Sequence, residues 1–201
     1  MPSSKLKRGI ADLEEQLRSG KPIGPSHDVP FALFVYDPKE EVDLRREVAL
    51  LATRVSNAGR PVKIVDLGQL MWECFEDHPL GGIESLFKAE KENHDLQTVL
   101  GEARRLLIGS EKGSEPGPLE RRVLDRMEGM DPREEVAFLV RASELFPVYR
   151  TSALLERLIG QPGLPTAILF YPGKVRGTTQ PSFMGVNEPS PRYRVTIMDY
   201  S

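Results

Sequence analysis

The sequence has very little cysteine and no long apolar segment. Its one cysteine, Cys74, cannot form an internal disulfide, which is typical of proteins in a reducing compartment. No stretch approaches the roughly 18 apolar residues that a membrane span needs. Residues 1–21 mix basic and acidic side chains and lack the apolar centre of a signal peptide. We therefore expect a cytoplasmic protein that makes no contact with membranes.

The sequence also lacks a strong excess of charge of one sign. With 27 basic and 30 acidic residues, its formal net charge is −3. Such a balance gives no general attraction to nucleic acid or to anionic lipid. Short basic pairs such as Arg104-Arg105 are interleaved with acids and lack neighbouring aromatic residues, so stacking on single-stranded nucleic acid is not indicated. We expect no direct nucleic-acid binding.

Motifs that commonly carry catalysis or nucleotide binding are absent. The sequence contains no glycine-rich phosphate loop ending in lysine, no G-x-G-x-x-G, no H-E-x-x-H and no G-x-S-x-G. Cys74 and His78 share a helix face, but further ligands at zinc-site spacing do not follow. The other histidines, His27 and His94, do not flank a strand end. These absences predict a non-catalytic protein without metal or cofactor.

Apolar runs of strand length alternate with helical patterns. The first run, residues 30–36, is continuous and bounded by prolines, as in a strand that is buried on both faces. Asp37 and Pro38 then provide an N-cap and a first helical residue, and the apolar spacing continues to about Asn57. A second strand follows at 62–67. Residues 30–67 therefore predict a right-handed βαβ unit with parallel strands.

Later segments extend the same alternation. We expect strands at 135–141 and at 166–171, the latter ended by Pro172-Gly173, with a helix over 145–159 between them. Shorter segments at 183–185 and 195–198 indicate an antiparallel edge. Residues 1–29 form an N-terminal helix and linker, and residues 68–130 form a helical insertion. The whole, 1–201, predicts one α/β domain, a three-layer sandwich whose mostly parallel sheet has four to six strands.

Polar residues follow two of the predicted strands. Asp66 ends the second strand, and Arg141 and Ser143 follow the third. Ligands of such folds bind outside the carboxyl ends of the strands, so these three residues are candidates for a degenerate nucleotide or sensor site. The alternatives are a helix cap for Asp66 and a surface salt bridge for Arg141.

Aromatic and arginine side chains gather after the third and fourth strands. These residue types are enriched at protein interfaces, although each one could instead be a core or turn residue. The predicted partner-binding residues are Phe146, Tyr149, Arg150, Tyr171, Pro172, Gly173, Tyr193 and Arg194.

The order and spacing of these segments resemble the BrxB family of bacterial BREX phage-exclusion systems. The segments that carry the resemblance are 29–36, Glu40-Glu41, 45–47, 145–147, 150–155, 165–173, 182–185 and Tyr193-Arg194. The resemblance implies a nucleotide-binding-type α/β fold that has lost its phosphate loop, and it transfers no catalytic residue. It also implies that the protein acts in the same system as the phosphatase-like protein PglZ, the ATPase BrxC and a methyltransferase. We therefore expect an adaptor or scaffold that binds another BREX protein, with PglZ as the first candidate.

Overall fold

The computed structural model describes residues 1–20, 23, 30–78, 81–93, 95–108, 115–159, 161–176, 180–185 and 195–201. The α-helices within these ranges are α1 Ser4–Arg18, α2 Glu41–Asn57, α3 Leu67–Glu76, α4 Gly82–Asn93, α5 Leu96–Ile108, α6 Pro118–Met127 and α7 Thr151–Ile159. The strands are β1 Phe31–Tyr36, β2 Val62–Asp66, β3 Val136–Val140, β4 Thr166–Arg176, β5 Gln180–Phe183 and β6 Thr196–Tyr200. Short 3-10 turns occupy Pro38–Glu40 and Ala142–Leu145.

Parallel strands form the centre of the fold, in the order β2-β3-β4-β1-β6. In register, Leu169 of β4 lies between Leu33 of β1 and Leu139 of β3, and Leu33 also faces Ile197 of β6. Strand β5 is antiparallel and pairs with the far half of β4. The predicted mostly parallel sheet is confirmed. The two strands of the predicted βαβ unit, β1 and β2, both belong to its parallel part, but β3 and β4 lie between them.

Helices cover both faces of this sheet. On one face, α1 and α2 pack over Phe34, Phe138 and Phe170, whose rings lie 5.2 and 5.3 Å apart between centroids. On the other face, α3, α5, α6 and α7 pack over the alternate residues of the same strands, including Leu139 and Leu169. The three-layer α/β sandwich predicted from the sequence is therefore confirmed.

The residues predicted as a helical insertion supply helices α3 to α6. Leu70, Leu106 and Val123, from α3, α5 and α6, belong to the same core cluster as the sheet residues, so these helices form one layer of the sandwich. No helix in the described ranges has both the length and the apolar character needed to cross a membrane.

The strand β4 does not end at Pro172-Gly173, as the sequence led us to expect. Pro172 lies in register with Tyr36 at the end of β1, and beyond it the strand continues to Arg176 as one side of a hairpin with β5. A Cβ on Gly173 would overlap the carbonyl oxygen of Ser182. The glycine therefore permits the close approach of β5, where the sequence suggested a stop.

Two other expectations were wrong. The antiparallel edge expected for 183–185 and 195–198 is found only in β5, which is antiparallel to β4. Strand β6 is instead a parallel edge strand beside β1, with Thr196 opposite Ala32 and Tyr200 opposite Tyr36. The helix expected over 145–159 begins only at Thr151, and residues 146–150 form a loop. Pro147 accounts for this difference, since a proline disfavours helical backbone in the residue that precedes it.

Two helical glycines provide a test of the packing. A Cβ on Gly9 of α1 would lie 2.6 Å from the ring of Tyr200 and 2.8 Å from that of Phe34, whereas a Cβ on Gly101 of α5 would meet nothing within 4 Å. We expect Gly9→Ala to lower the free energy of unfolding by about 1–3 kcal/mol. Gly101→Ala should raise it by about 0.5–1 kcal/mol. Urea denaturation followed by circular dichroism measures both, and equal values for the two variants would contradict this packing.

Candidate functional site

The carboxyl edge of the sheet contains both groups of candidate residues. Because the strands are parallel, Tyr36, Asp66, Val140 and Tyr171 all lie near this edge, at or close to the ends of their parallel pairings. The segments that follow these ends build two adjoining features. One is an ion-pair cluster of Glu41, Arg45, Asp66, Arg141 and Glu144. The other, here called the loop face, consists of residues 146–150 and the β4–β5 hairpin.

Arg141 is the centre of the ion-pair cluster. Its Nε and Nη2 donate to the two carboxylate oxygens of Glu144 at 2.7 and 2.6 Å, and its Nη1 donates to Oδ2 of Asp66 at 2.7 Å. Hydrogen bonding to Glu144 and to Asp66 raises the pKa of the Arg141 guanidinium above its ordinary value. A two-pronged pair of this kind is among the stronger charge-assisted contacts in proteins.

Asp66 also caps the helix that follows it. Its Oδ1 accepts the backbone N–H of Gln69 at 2.9 Å, while its other oxygen binds Arg141. The two alternatives weighed from the sequence, a cap for Asp66 and a salt bridge for Arg141, therefore both describe the structure. Ser143 lies in the 3-10 turn that follows Arg141, and its carbonyl oxygen accepts the backbone N–H of Phe146.

The cluster continues across the edge to the opposite helical layer. Glu144 Oε1 also accepts Arg45 Nη2 at 2.9 Å, and Arg45 Nε donates to Glu41 Oε1 at 3.0 Å. Glu41 in turn accepts the hydroxyl of Tyr36, whose pKa is raised chiefly by burial. This chain of contacts joins α2 on one face of the sheet to the turn after β3 on the other.

The backbone is adapted to these ion pairs. Arg141 has a left-handed conformation with φ 59°, which is uncommon for a residue with a long side chain and unfavourable relative to glycine. A Cβ on Gly68 would overlap Oε2 of Glu144 and lie 3.1 Å from Cζ of Arg141. Glycine at this position therefore leaves the space that the pair occupies. A nucleotide or sensor site at Asp66, Arg141 and Ser143 stays a prediction, and its ligand would compete with these carboxylates.

An aromatic cluster forms the base of the loop face. The ring of Phe183 in β5 lies 6.0 Å from that of Phe146 and 5.2 Å from that of Tyr171, between centroids. The structure thus brings together the two segments that the sequence analysis singled out. Tyr171, Pro172 and Gly173 are buried, and Phe146 is half-buried. Two further predicted residues, Tyr193 and Arg194, lie outside the described ranges.

Tyr149 anchors the loop from inside. Its side chain is 2% exposed, and its hydroxyl donates at 2.8 Å to Oε1 of Glu120 in α6, itself 5% exposed. The other oxygen of Glu120 accepts the backbone N–H of Gly117 at 2.7 Å. Burial and the charge of Glu120 raise the pKa of the Tyr149 hydroxyl. Tyr149 therefore supports the loop face, and Arg150, the next residue, is exposed.

Several residues of this edge had no signal in the sequence. Arg45 and Glu144 are 99 positions apart, and Glu120 carries only the spacing of a helix-start carboxylate. Pairings over such distances depend on the order of the strands, which a single sequence does not reveal. Local contacts such as Arg141–Glu144, three residues apart, and Arg45–Glu41, four residues apart, could have been found from sequence spacing.

The zinc site that the sequence analysis weighed and set aside concerns Cys74 and His78. Cys74 is buried, and burial raises the pKa of its thiol to about 11, so the thiol is protonated at neutral pH. Among the described side chains, no group of three or more histidine, cysteine, aspartate or glutamate residues could hold a metal ion.

Comparison with known proteins gives consistent results. The model of the family described as "BREX protein BrxB" matches residues 63–198. A curated relative of that description from Bacillus cereus (strain H3081.97) is 24% identical over 166 residues, which cover 82% of this chain and 80% of the relative. No solved structure matches. The family match includes Asp66, Arg141 and Glu144 and the whole loop face.

Removing Arg141, the cation at the centre of the ion-pair cluster, should lower the stability of the fold. Arg141→Gln would leave the carboxylates of Asp66 and Glu144 facing each other, and each is only about a quarter exposed, at 27% and 24%. We expect the free energy of unfolding to fall by about 1–3 kcal/mol. Arg133→Gln, at an exposed arginine whose guanidinium has no described carboxylate within 4 Å, should change it by less than about 0.5 kcal/mol, since its contact with Asp131 is made by the backbone N–H. Urea denaturation at low salt decides, and equal effects would refute the role of the cluster.

The buried hydrogen bond between Tyr149 and Glu120 gives a second prediction about stability. Tyr149→Phe removes one donor from the buried carboxylate of Glu120, so the free energy of unfolding should fall by about 1–2 kcal/mol. Tyr200→Phe is the matched control, because the Tyr200 hydroxyl donates to Asp12 at 3.1 Å in an exposed position. Its effect should stay below about 0.5 kcal/mol. A larger loss in the control than in Tyr149→Phe would exclude the buried pair as the anchor.

Proposed function

Because the chain belongs to the BrxB family of BREX proteins, we propose that it acts in the BREX phage-exclusion system as a non-catalytic adaptor. In this proposal it works in the cytoplasm and holds another BREX protein through the loop face. The phosphatase-like protein PglZ is the first candidate partner. The ATPase BrxC and the methyltransferase of the same system are the others.

The observation that carries the proposal is the occupation of the carboxyl edge by the chain's own side chains. All three nitrogens of the Arg141 guanidinium donate to Asp66 or Glu144. Glu144 is also engaged by Arg45 on the opposite layer. In α/β folds this edge is where a substrate or nucleotide would bind. The same groups here hold the layers of the protein together, which supports binding at the surface over chemistry at the edge.

The loop face offers the type of surface that a protein partner uses. Arg150 is exposed, Phe146 is half-buried, and both stand on a buried support made by Tyr149, Tyr171 and Phe183. Arginine and aromatic side chains on a rigid support are frequent centres of binding energy. A supported loop also loses little conformational freedom when it binds.

Co-purification tests the proposal. The protein would be expressed with PglZ, BrxC or the methyltransferase of its own BREX cluster and captured through an affinity tag. We expect PglZ to co-elute, and Arg150→Glu to lower the amount captured by about tenfold or more, because it places a like charge in the contact. Arg133→Glu is the matched control and should leave capture unchanged.

Other outcomes would redirect or refute the proposal. If none of the three proteins is captured at micromolar concentration, the adaptor function is wrong. If Trp72→Ala abolishes capture and Arg150→Glu does not, the contact lies on α3, where Trp72 is 51% exposed. Calorimetry with ATP or GTP and magnesium tests the alternative sensor function. Binding tighter than about 100 μM, or roughly −5.5 kcal/mol, would favour that alternative.

A further inference from the structure

We propose that the loop face receives an acidic segment of a partner protein, one that carries carboxylates beside an apolar side chain. This inference rests on the proposed adaptor function for its setting, and it adds the chemistry of the segment that binds. It depends on two exposed arginines that meet at the loop without a carboxylate to neutralise them.

The first of these arginines is Arg104 in α5. Its Nε donates to the carbonyl oxygen of Val148 in the loop at 3.3 Å. Its two terminal nitrogens have no acceptor among the described residues, and the side chain is exposed. The second is Arg150, two positions after Val148, which is exposed and has no described carboxylate within 4 Å. Both exposed arginines therefore lie at the same loop, one contacting it from α5 and the other within it, and we treat this surface as one patch.

This arrangement differs from that of most arginines in the described part of the chain. The arginines with a carboxylate within 4.0 Å are Arg8, Arg18, Arg45, Arg46, Arg54, Arg105, Arg121, Arg122, Arg126, Arg141 and Arg157. Arg104 directly precedes the paired Arg105. Two neighbouring cations without a counter-charge repel each other, and Arg150 stands just before α7, where the helix dipole disfavours a cation. The patch therefore suits an incoming negative charge.

The shape of the patch favours carboxylates on a protein. A guanidinium presents parallel N–H groups that match the two oxygens of a carboxylate. Phe146 and Pro147 lie in the same loop and offer apolar surface for a neighbouring side chain. A nucleic-acid surface that binds through phosphates uses about six to ten cationic contacts. Here the patch has two arginines, with Lys174 exposed on the adjoining hairpin, and the chain as a whole is acidic.

A titration followed by nuclear magnetic resonance tests the inference. The ¹⁵N-labelled full chain would be titrated with the acetylated peptide Glu-Asp-Tyr-Glu-Asp, with its amide analogue Gln-Asn-Tyr-Gln-Asn, and with a ten-residue thymidine oligonucleotide. Side-chain Nε–H signals report Arg104, Arg150 and Arg133 separately, and backbone amides report residues 146–150. Arg133 serves as the control because its guanidinium is exposed and has no described carboxylate partner, while it lies just before β3, at the opposite end of the sheet.

The expected result is specific to the acidic peptide. The signals of Arg104 and Arg150 should shift with a dissociation constant of about 1 mM or tighter, while that of Arg133 stays unchanged and the amide peptide has no effect. Added salt should weaken this binding. The inference is overturned if no signal shifts at 10-fold excess over that concentration, if Arg133 shifts equally, or if the oligonucleotide moves the same signals at lower concentration.

Variants separate the patch from general charge effects. Arg150→Glu should weaken the peptide about tenfold and Arg104→Gln about threefold, with unchanged amide spectra elsewhere as evidence of folding. Arg133→Glu should have no effect, and an equal effect of all three would refute the proposal. The two hypotheses fail separately. Peptide binding without capture of a BREX protein would refute only the adaptor function, and capture without peptide binding would refute only the acidic segment.

Discussion

A parallel sheet whose strands are apolar on both faces must be covered on both faces, and the rest of the structure depends on this constraint. In β4, Leu169 faces one helical layer and Phe170 faces the other. The connections between parallel strands cross over the sheet and bring the helices that cover it. What remains open to solvent is the outer surface of the helices and the edges of the sheet. Any function must be sought there.

Other α/β folds bind their ligands at the carboxyl edge of the sheet. This chain has charged side chains of its own at that edge. Three carboxylates, from Glu41, Asp66 and Glu144, surround the guanidinium groups of Arg45 and Arg141. A left-handed residue and a glycine make space for the contact. These features cost conformational energy, which is usual at functional sites. In this chain they are directed inward, toward the joining of two layers, and the proposed partner contact is assigned to the neighbouring loop.

The elements that local sequence patterns encode could be predicted. Continuous apolar runs identified β1 and β4, and Asp66 was recognised as a cap because its spacing to the helix start is local. Strand order, the parallel direction of β6 and the burial of Tyr149 were not predictable. Each depends on contacts between distant segments, such as Tyr149 with Glu120. The expectation that β4 ends at Pro172-Gly173 was wrong for a related reason. These residues normally end a strand, but here they allow the neighbouring β5 to pair with β4.

The position of β1 has a consequence for folding. It comes first among the strands of this sequence, yet Leu33 pairs with Leu169 and Ile197, 136 and 164 positions later. Such pairings form slowly, because a long loop must close before the contacts can stabilise the chain. Until then the apolar residues of β1 lack both neighbours, and exposed apolar strands of this kind are prone to aggregate. The β4–β5 hairpin extends one of these late-pairing strands, so the surface that it carries is complete only once the sheet has closed.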